Sequence, residues 1–395
     1  MNNSAALAED LAQRIRSVIG TENGIVPLHA PEFNGRERDL VLDCIDTGWV
    51  SSVGSYVDIF EAEVARRAGC SYGVAVVNGT AALEIALIVA EVNSDDEVLV
   101  PALTFVATAN ATRHVGAMPH FIDSSYDTMG ICPVRLRSHL EKVAVVRDGE
   151  TRNRETGRRI AAVVPMHVFG CPVDIDGLYE VISDWPMVLV EDAAESLGSR
   201  YRGRVCGSLG ELAAISFNGN KIITTGGGGA VVTNNAELAK RAKHLSTTAK
   251  LAHKWEFRHD EIAYNYRMPN LNAALGVAQL EQLTERLNQK QRLFDNYSKA
   301  FHGLVGAQLF RAPNGSQSNN WLVTIVLDQA NAKSRDTVLQ ILNDKGIMAR
   351  PVWSLMHRLP MYQSAPRADL SQAEDLEGRL LNIPSSAYLG RQGAL

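Results

Sequence analysis

The sequence predicts an α/β protein: a mixed, mostly parallel sheet sandwiched by helices, followed by a smaller α+β domain. Three observations carry this. The strand-like runs of the first two thirds are short, β-branched and almost continuously apolar, as strands covered on both faces are. Helix-like segments alternate with them. From about Asn270 that alternation gives way to some thirty residues of helical period, then a new strand and a new helix.

The elements follow in order. "MNNSAALAEDLAQRIR" reads as a short amphipathic helix, and residues 1–24 as a helical extension. Its early acids and missing apolar core exclude a signal peptide. "YGVAVV" (72–77) is a strand that ends in Asn78-Gly79-Thr80, and the helix "AALEIALIVAEV" follows at once. "EVLVP" (97–101), "MPHFID" (118–123), "IAAVVPMHV" (160–168) and "MVLVED" (187–192) are further strands. The insert "RDGETRNRETGRR" (147–159) is charged and punctuated by glycine, so it reads as a solvated hairpin or loop. "AVVTNN" after the tetraglycine is strand-like. "NLNAALGVAQLEQLTERLNQKQRLFDNYSKAF" is a long linking helix, "WLVTIVLD" (321–328) a strand, and "KSRDTVLQILNDKG" (333–346) a helix stopped by Gly346. These readings divide the chain into a large domain over 25–265 and a small one over 266–395.

Composition narrows the function. The chain has 395 residues, 46% apolar and 21% charged, with a net charge of −5. No basic footprint points to nucleic acid, and the most apolar stretch is too short and too interrupted by Glu84 to span a bilayer. Five scattered cysteines without a CxxC spacing argue against a disulfide framework or zinc site and fit a reducing cytosol. The histidines and acids of "HKWEFRHDE" (253–261) match no strong metal spacing, so no metal is expected.

One lysine poses the functional question. Lys221 sits in "SFNGNKIITTGGGG" (216–229), beside a glycine run that could suggest phosphate. A nucleotide phosphate loop needs glycine directly before the lysine and serine or threonine directly after it, whereas Asn220 and Ile222 stand there. The alternative is a lysine used as a nucleophile. It needs a carboxylate and a phosphate cradle elsewhere, and both are present. "MVLVEDAAESLG" ends a strand in Glu191-Asp192, at the end of a sheet where α/β proteins bind ligands. Neighbours on a strand face opposite ways, so only one of the two carboxylates points inward. Gly79, Thr80 and Ala81 form a strand-to-helix turn whose N–H groups favour a phosphate. An amine, a carboxylate and a monophosphate cradle together fit pyridoxal 5′-phosphate (PLP). That cofactor forms a Schiff base with lysine, and its ring nitrogen stays protonated beside a carboxylate.

The motifs "NGTAAL", "PALTFVATANA", "EDAAESLG", "SFNGNKIITTGGGG" and "AYNYRMPNLNAALG", in that order, resemble the DegT/DnrJ/EryC1/StrS aminotransferases, sugar-nucleotide enzymes of PLP fold type I. The resemblance runs from about residue 25 to the C-terminus. It implies the aspartate aminotransferase-like fold with a seven-stranded sheet, and a homodimer with composite sites. Lys221 would be the Schiff-base lysine and proton shuttle, and Asp192 would pair with the pyridine nitrogen. Phe105 would stack on the ring, and Gly79, Thr80, Ala81 and Ser216 would surround the phosphate. Asn265 would reach the phosphate from the other subunit, with Arg267 nearby. Glu195 stands where the family commonly has glutamine or histidine. Trp49 and His167 lie in segments that line the sugar side.

"DTGWVSSVG" and the charged insert resemble most the enzymes that aminate C4 of UDP-linked 4-keto-6-deoxy-N-acetylhexosamines with L-glutamate, for bacterial surface glycans. The alternative is a GDP- or dTDP-linked keto-deoxy sugar of perosamine type, aminated at C3 or C4. Lys221 argues against the related dehydratases, which carry histidine there. The intact lysine, carboxylate and cradle argue against a non-catalytic regulatory protein on the same scaffold.

Overall fold

The apolar runs become strands because both of their faces are covered. The computed structural model describes residues 3–20 and 24–391. The first strands are β1 (Tyr72–Val76), β2 (Glu97–Pro101) and β3 (Met118–Ile122), then the hairpin pair β4 (Ala144–Arg147) and β5 (Glu150–Asn153). They are followed by β6 (Ile160–Val163), β7 (Val188–Asp192), the short β8 (Arg200–Tyr201) and β9 (Arg204–Val205), β10 (Leu212–Ser216) and β11 (Gly229–Thr233). Seven of them form one sheet in the order β1-β11-β10-β7-β6-β2-β3. Only β11 runs against its neighbours, so the sheet is mixed and mostly parallel.

Helices α1 (Asn3–Ile19), α2 (Glu37–Asp46), α3 (Ser55–Ala68), α4 (Gly79–Val89), α5 (Val106–His114), α6 (Pro133–Val143), α7 (Ile175–Asp184), α8 (Ala236–Ser246) and α9 (Asn270–Glu281) precede the second sheet. Side chains alternate across the strands. Val98, Val100 and Val190 join α4, α5 and α8 on one face. Leu99 and Leu189 join α6 and α7 on the other. Ala213 and Ile215 pack with α2, α3 and α9 on that same second face.

The long linking helix is two helices. α9 ends at Glu281 and α10 (Leu283–Ala300) begins after a single intervening residue, Gln282. Their partners differ: Ala273, Ala274 and Ala278 of α9 sit in the core of the main sheet, whereas Leu293 and Tyr297 of α10 sit in a second core. That core lies on an antiparallel sheet of β12 (Ala307–Leu309), β14 (Val323–Leu327), β16 (Leu380–Ile383) and β15 (Arg350–Pro351), in that order. β13 (Ser316–Gln317) pairs instead with β8. Helices α11 (Arg335–Asp344) and α12 (Ser371–Arg379) complete the region. Leu7, Leu11, Ile15 and Val18 of α1 are buried in the same core, so the N-terminal helix is part of this unit's packing.

Two local readings are sharpened. The charged insert is a hairpin whose turn residues Asp148 and Gly149 both have positive φ (52° and 79°), as a tight hairpin turn requires. The strand expected over 160–168 stops at Val163, and a short 3₁₀ turn spans Val168–Gly170. Among the described residues no helix is long and apolar enough to cross a membrane.

Candidate active site

Parallel strands bring their C-terminal ends to one edge of the sheet, and the site is built there. β1 delivers Asn78 and Gly79, β2 delivers Phe105, β7 ends in Asp192, and β10 ends in Ser216. Together with Thr80, Glu195 and Lys221 they line a cavity of about 320 Å³. A larger cleft, about 710 Å³, lies elsewhere and is lined by Trp49, Asp58, Lys243 and Arg267. The chemistry belongs to the smaller cavity, which holds both the amine and the carboxylates.

The Lys221 ammonium donates to Glu195 Oε1 at 3.1 Å. It also lies 3.9 Å from the centroid of the Trp321 ring, a cation–π contact. Trp321 is fixed in turn by its indole N–H, which donates to the Asn220 carbonyl at 2.7 Å. Asp192 is 2% exposed. The Thr108 hydroxyl donates to its Oδ2 at 2.7 Å and the Ala194 N–H to its Oδ1 at 3.2 Å. Burial raises its proton affinity, against these hydrogen bonds and the charge of Lys221. Burial likewise pushes Glu195 up to about 7, with Lys221 and the Phe169 N–H acting against it.

Adjacent acids on β7 do take opposite sides. Glu191 accepts from the N–H groups of Gly207, Leu209 and Gly210 and from His167 Nε2, all away from the cavity. His167 is therefore corrected. It is fully buried, Val173 N–H donates to its Nδ1, and its Nε2 proton faces Glu191, which leaves nothing for a sugar.

The anion cradle is the start of α4. Asn78 is extended and caps the helix by accepting from the Ala81 N–H at 2.8 Å. The Ala81 N–H is thus committed to the cap, while Gly79 and Thr80 are first-turn residues whose N–H groups the helix leaves unpaired. Chains cross closely here. A Cβ on Gly79 would lie 2.8 Å from Ser216 Cβ, and one on Gly229 would lie 2.4 Å from the Asn78 carbonyl oxygen.

Three expected contacts do not join this cavity within one chain. Trp49 follows α2 and is 58% exposed, with its carbonyl held by Asn270. Residues 266–267 pair with the chain at the end of β1, and the Arg267 side chain turns into the larger cleft. Asn265 is exposed and accepts from Arg267 Nε. Asp260 and Glu261 of the 253–261 loop approach His244, Arg241 occupies Glu261, and Glu256 pairs with Arg258.

Residue-type reasoning does not single out Trp321, Trp353, Thr108 or the Phe169 N–H. Trp321 and Trp353 line the cavity, and the Trp353 ring lies beside that of Phe105, with centroids 6.1 Å apart. Thr108 stands in the "LTFVAT" stretch, three residues past Phe105, the one signal available for it.

PLP fits these residues. Phe105 is 48% exposed yet lines the cavity, so one face of its ring is free for a flat partner. The helix start and Ser216 suit a phosphate, Asp192 suits a protonated ring nitrogen, and Lys221 suits an aldehyde.

The family model of the DegT/DnrJ/EryC1/StrS aminotransferases matches residues 31–393. The GDP-perosamine synthase of Escherichia coli O157:H7 is 35% identical over 367 residues, 93% of this chain and 95% of that protein. The GDP-perosamine synthase of Caulobacter vibrioides is 34% identical over 375 residues, 92% of this chain and 94% of the other. Among solved structures, DesI crystallised with its TDP-sugar product shares 28% identity at a TM-score of 0.80, covering 94% of this chain and 91% of that one. The chain belongs to the DegT/DnrJ/EryC1/StrS aminotransferase family and is a PLP-dependent sugar aminotransferase.

Proposed function

We propose that this aminotransferase moves an amino group from L-glutamate to C4 of a GDP-linked 4-keto-6-deoxy sugar. The observation that carries the choice is the similarity to two GDP-perosamine synthases over more than nine-tenths of every chain compared. It favours the perosamine-type alternative over the UDP-linked N-acetylhexosamine that the motifs first suggest.

When bound, PLP supplies the carbonyl that takes up an amine and a ring that spreads the resulting charge. The chain's own residues do the rest. Lys221 moves a proton to and from the reacting carbon in both half-reactions. Asp192, buried and held by Thr108 and Ala194, keeps a proton on the ring nitrogen. Phe105 stacks on the ring, and the start of α4 with Ser216 holds its phosphate. The same reading makes the enzyme a homodimer. Asn265, Arg267 and Trp49 are turned away from their own Lys221 and would serve the partner's site, with Ile45, Trp49 and Val53 as exposed apolar contacts.

The test offers the PLP-loaded protein L-glutamate and, in parallel, GDP-, dTDP- and UDP-linked 4-keto-6-deoxy sugars, with products read by mass spectrometry. An amino sugar from the GDP substrate is expected. Amination of only the UDP-linked N-acetyl substrate would overturn the reading.

A further inference from the structure

We propose that Glu195 is the catalytic proton acceptor of Lys221: its carboxylate takes a proton from the lysine ammonium as the lysine bonds to the cofactor, and keeps it as a neutral carboxylic acid. The proposal rests on cofactor attachment at Lys221 and does not depend on which sugar is accepted.

Geometry selects the pair. Glu195 Oε1 lies 3.1 Å from Lys221 Nζ, within direct transfer distance. The other close neighbour of Nζ is the face of Trp321, which cannot take a proton. Asp192, the second acid of the cavity, is tied to Thr108 and Ala194.

Glu195 is also held in place. Phe169 N–H donates to its Oε2 at 2.9 Å, from a residue in the left-handed region (φ 53°) that aims the N–H at the carboxylate. The Asn319 amide donates to its backbone carbonyl at 2.9 Å. One oxygen is thereby anchored and the other is left facing the lysine.

The electrostatics make the transfer necessary. Glu195 is 3% exposed. Among the described residues, the groups acting on it are Lys221, the Phe169 N–H and Asp192, and Asp192 repels its charge. As Lys221 bonds to the aldehyde, two of the ammonium protons leave with the aldehyde oxygen as water. The nitrogen gains a double bond to carbon, and the third proton goes to Glu195 Oε1. The charges of +1 and −1 vanish together. Without that transfer, a buried carboxylate would be left beside Asp192 with a single neutral donor, a costly arrangement. Burial already pushes Glu195 up to about 7 while Lys221 opposes it, so losing the ammonium takes the carboxyl higher still. The amide of a glutamine at this position could not accept the proton.

The experiment mixes apoprotein with PLP and records visible absorbance and the infrared difference spectrum on one sample, with and without isotope-labelled glutamate residues. In the wild type we expect the near-ultraviolet absorbance of a lysine–cofactor imine that has given up its proton, and a new carboxylic-acid carbonyl band that shifts with the label. Glu195→Gln and Glu195→Asp should both attach the cofactor and lack that label-sensitive band. A wild type that attaches the cofactor without the band overturns the proposal, as does a band that survives in either variant. A wild type whose absorbance remains that of free PLP refutes attachment at Lys221 itself, and the proposal falls with it.

Discussion

Replacing Gly229 by alanine drives a methyl group into the peptide that opens the phosphate cradle. The new Cβ would lie 2.4 Å from the Asn78 carbonyl oxygen, 2.5 Å from its carbon and 2.8 Å from Gly79 N. All three are backbone atoms, and β1 is pinned to β11 by pairs from Tyr72–Thr233 to Val76–Gly229, so no side chain can swing aside. Restoring an ordinary C···O contact of about 3.3 Å requires the strand end to move by roughly 0.9 Å. Overpacking of this kind costs about 1–3 kcal/mol. If that cost falls on the cradle, the Kd for PLP rises roughly 5- to 150-fold. The assay is an absorbance titration of apoprotein with PLP. Gly227→Ala is the internal control, because the nearest atom to its Cβ would be Val77 O at 3.9 Å. It should bind as the wild type does. Equal affinities for the two variants would refute the idea that close backbone approach at Gly229 shapes the cradle.

The other expected outcomes address single side chains. Asp192→Asn should slow the half-reaction with L-glutamate, followed as the change in cofactor absorbance in a single turnover; an unchanged rate would count against its pairing with the ring. His167→Ala strips a partner from the buried Glu191 and should cost about 3 kcal/mol in urea unfolding, without changing the KM for sugar while the protein is folded. A raised KM at unchanged stability would return His167 to the substrate side. Stability of the apoprotein should also depend on Glu195. Folding raises this carboxyl's hold on its proton, so its contribution is complete below the unfolded value of 4.5 and is lost as pH rises through about 7. Glu195→Gln should flatten that slope in unfolding measured across this range, and a slope identical to the wild type would defeat the assignment.

Particular residues show what the sequence makes visible. Val98, Leu99 and Val100 are all fully buried, so their run announces a strand without context. Leu212–Ser216 announces nothing: Ala213 and Ala214 have little strand preference, and the segment is a strand because β7 and β11 flank it. Lys221 and Asp192 are legible because an amine beside glycines and an acid at a strand end are unusual pairings. His167 is not, since a histidine after an apolar strand can face the cavity or the opposite packing, and the turn at Phe169 and Gly170 decides which. Trp321 reaches Lys221 across 100 residues of chain, a contact that local pattern cannot reveal.

The three acids within "EDAAES" show how one strand end supplies distinct functions. Strand alternation sends Glu191 to four donors on the far side, where it ties the loop of residues 207–210 to the sheet. Asp192 faces the cavity, and the donors that hold it, Thr108 and Ala194, do not react, so it keeps both when Lys221 changes charge, although that change removes one of the influences that lower its proton affinity. Glu195 comes after the turn and depends on Lys221 itself for one of its two donors. The two acids of the cavity therefore respond differently to the same chemical event. On the proposed roles, Asp192 keeps its two donors while it pairs with the ring nitrogen, and Glu195 changes state with the lysine. A single substitution to glutamine at 195 would remove the second behaviour and leave the first, which makes the pair separable by experiment.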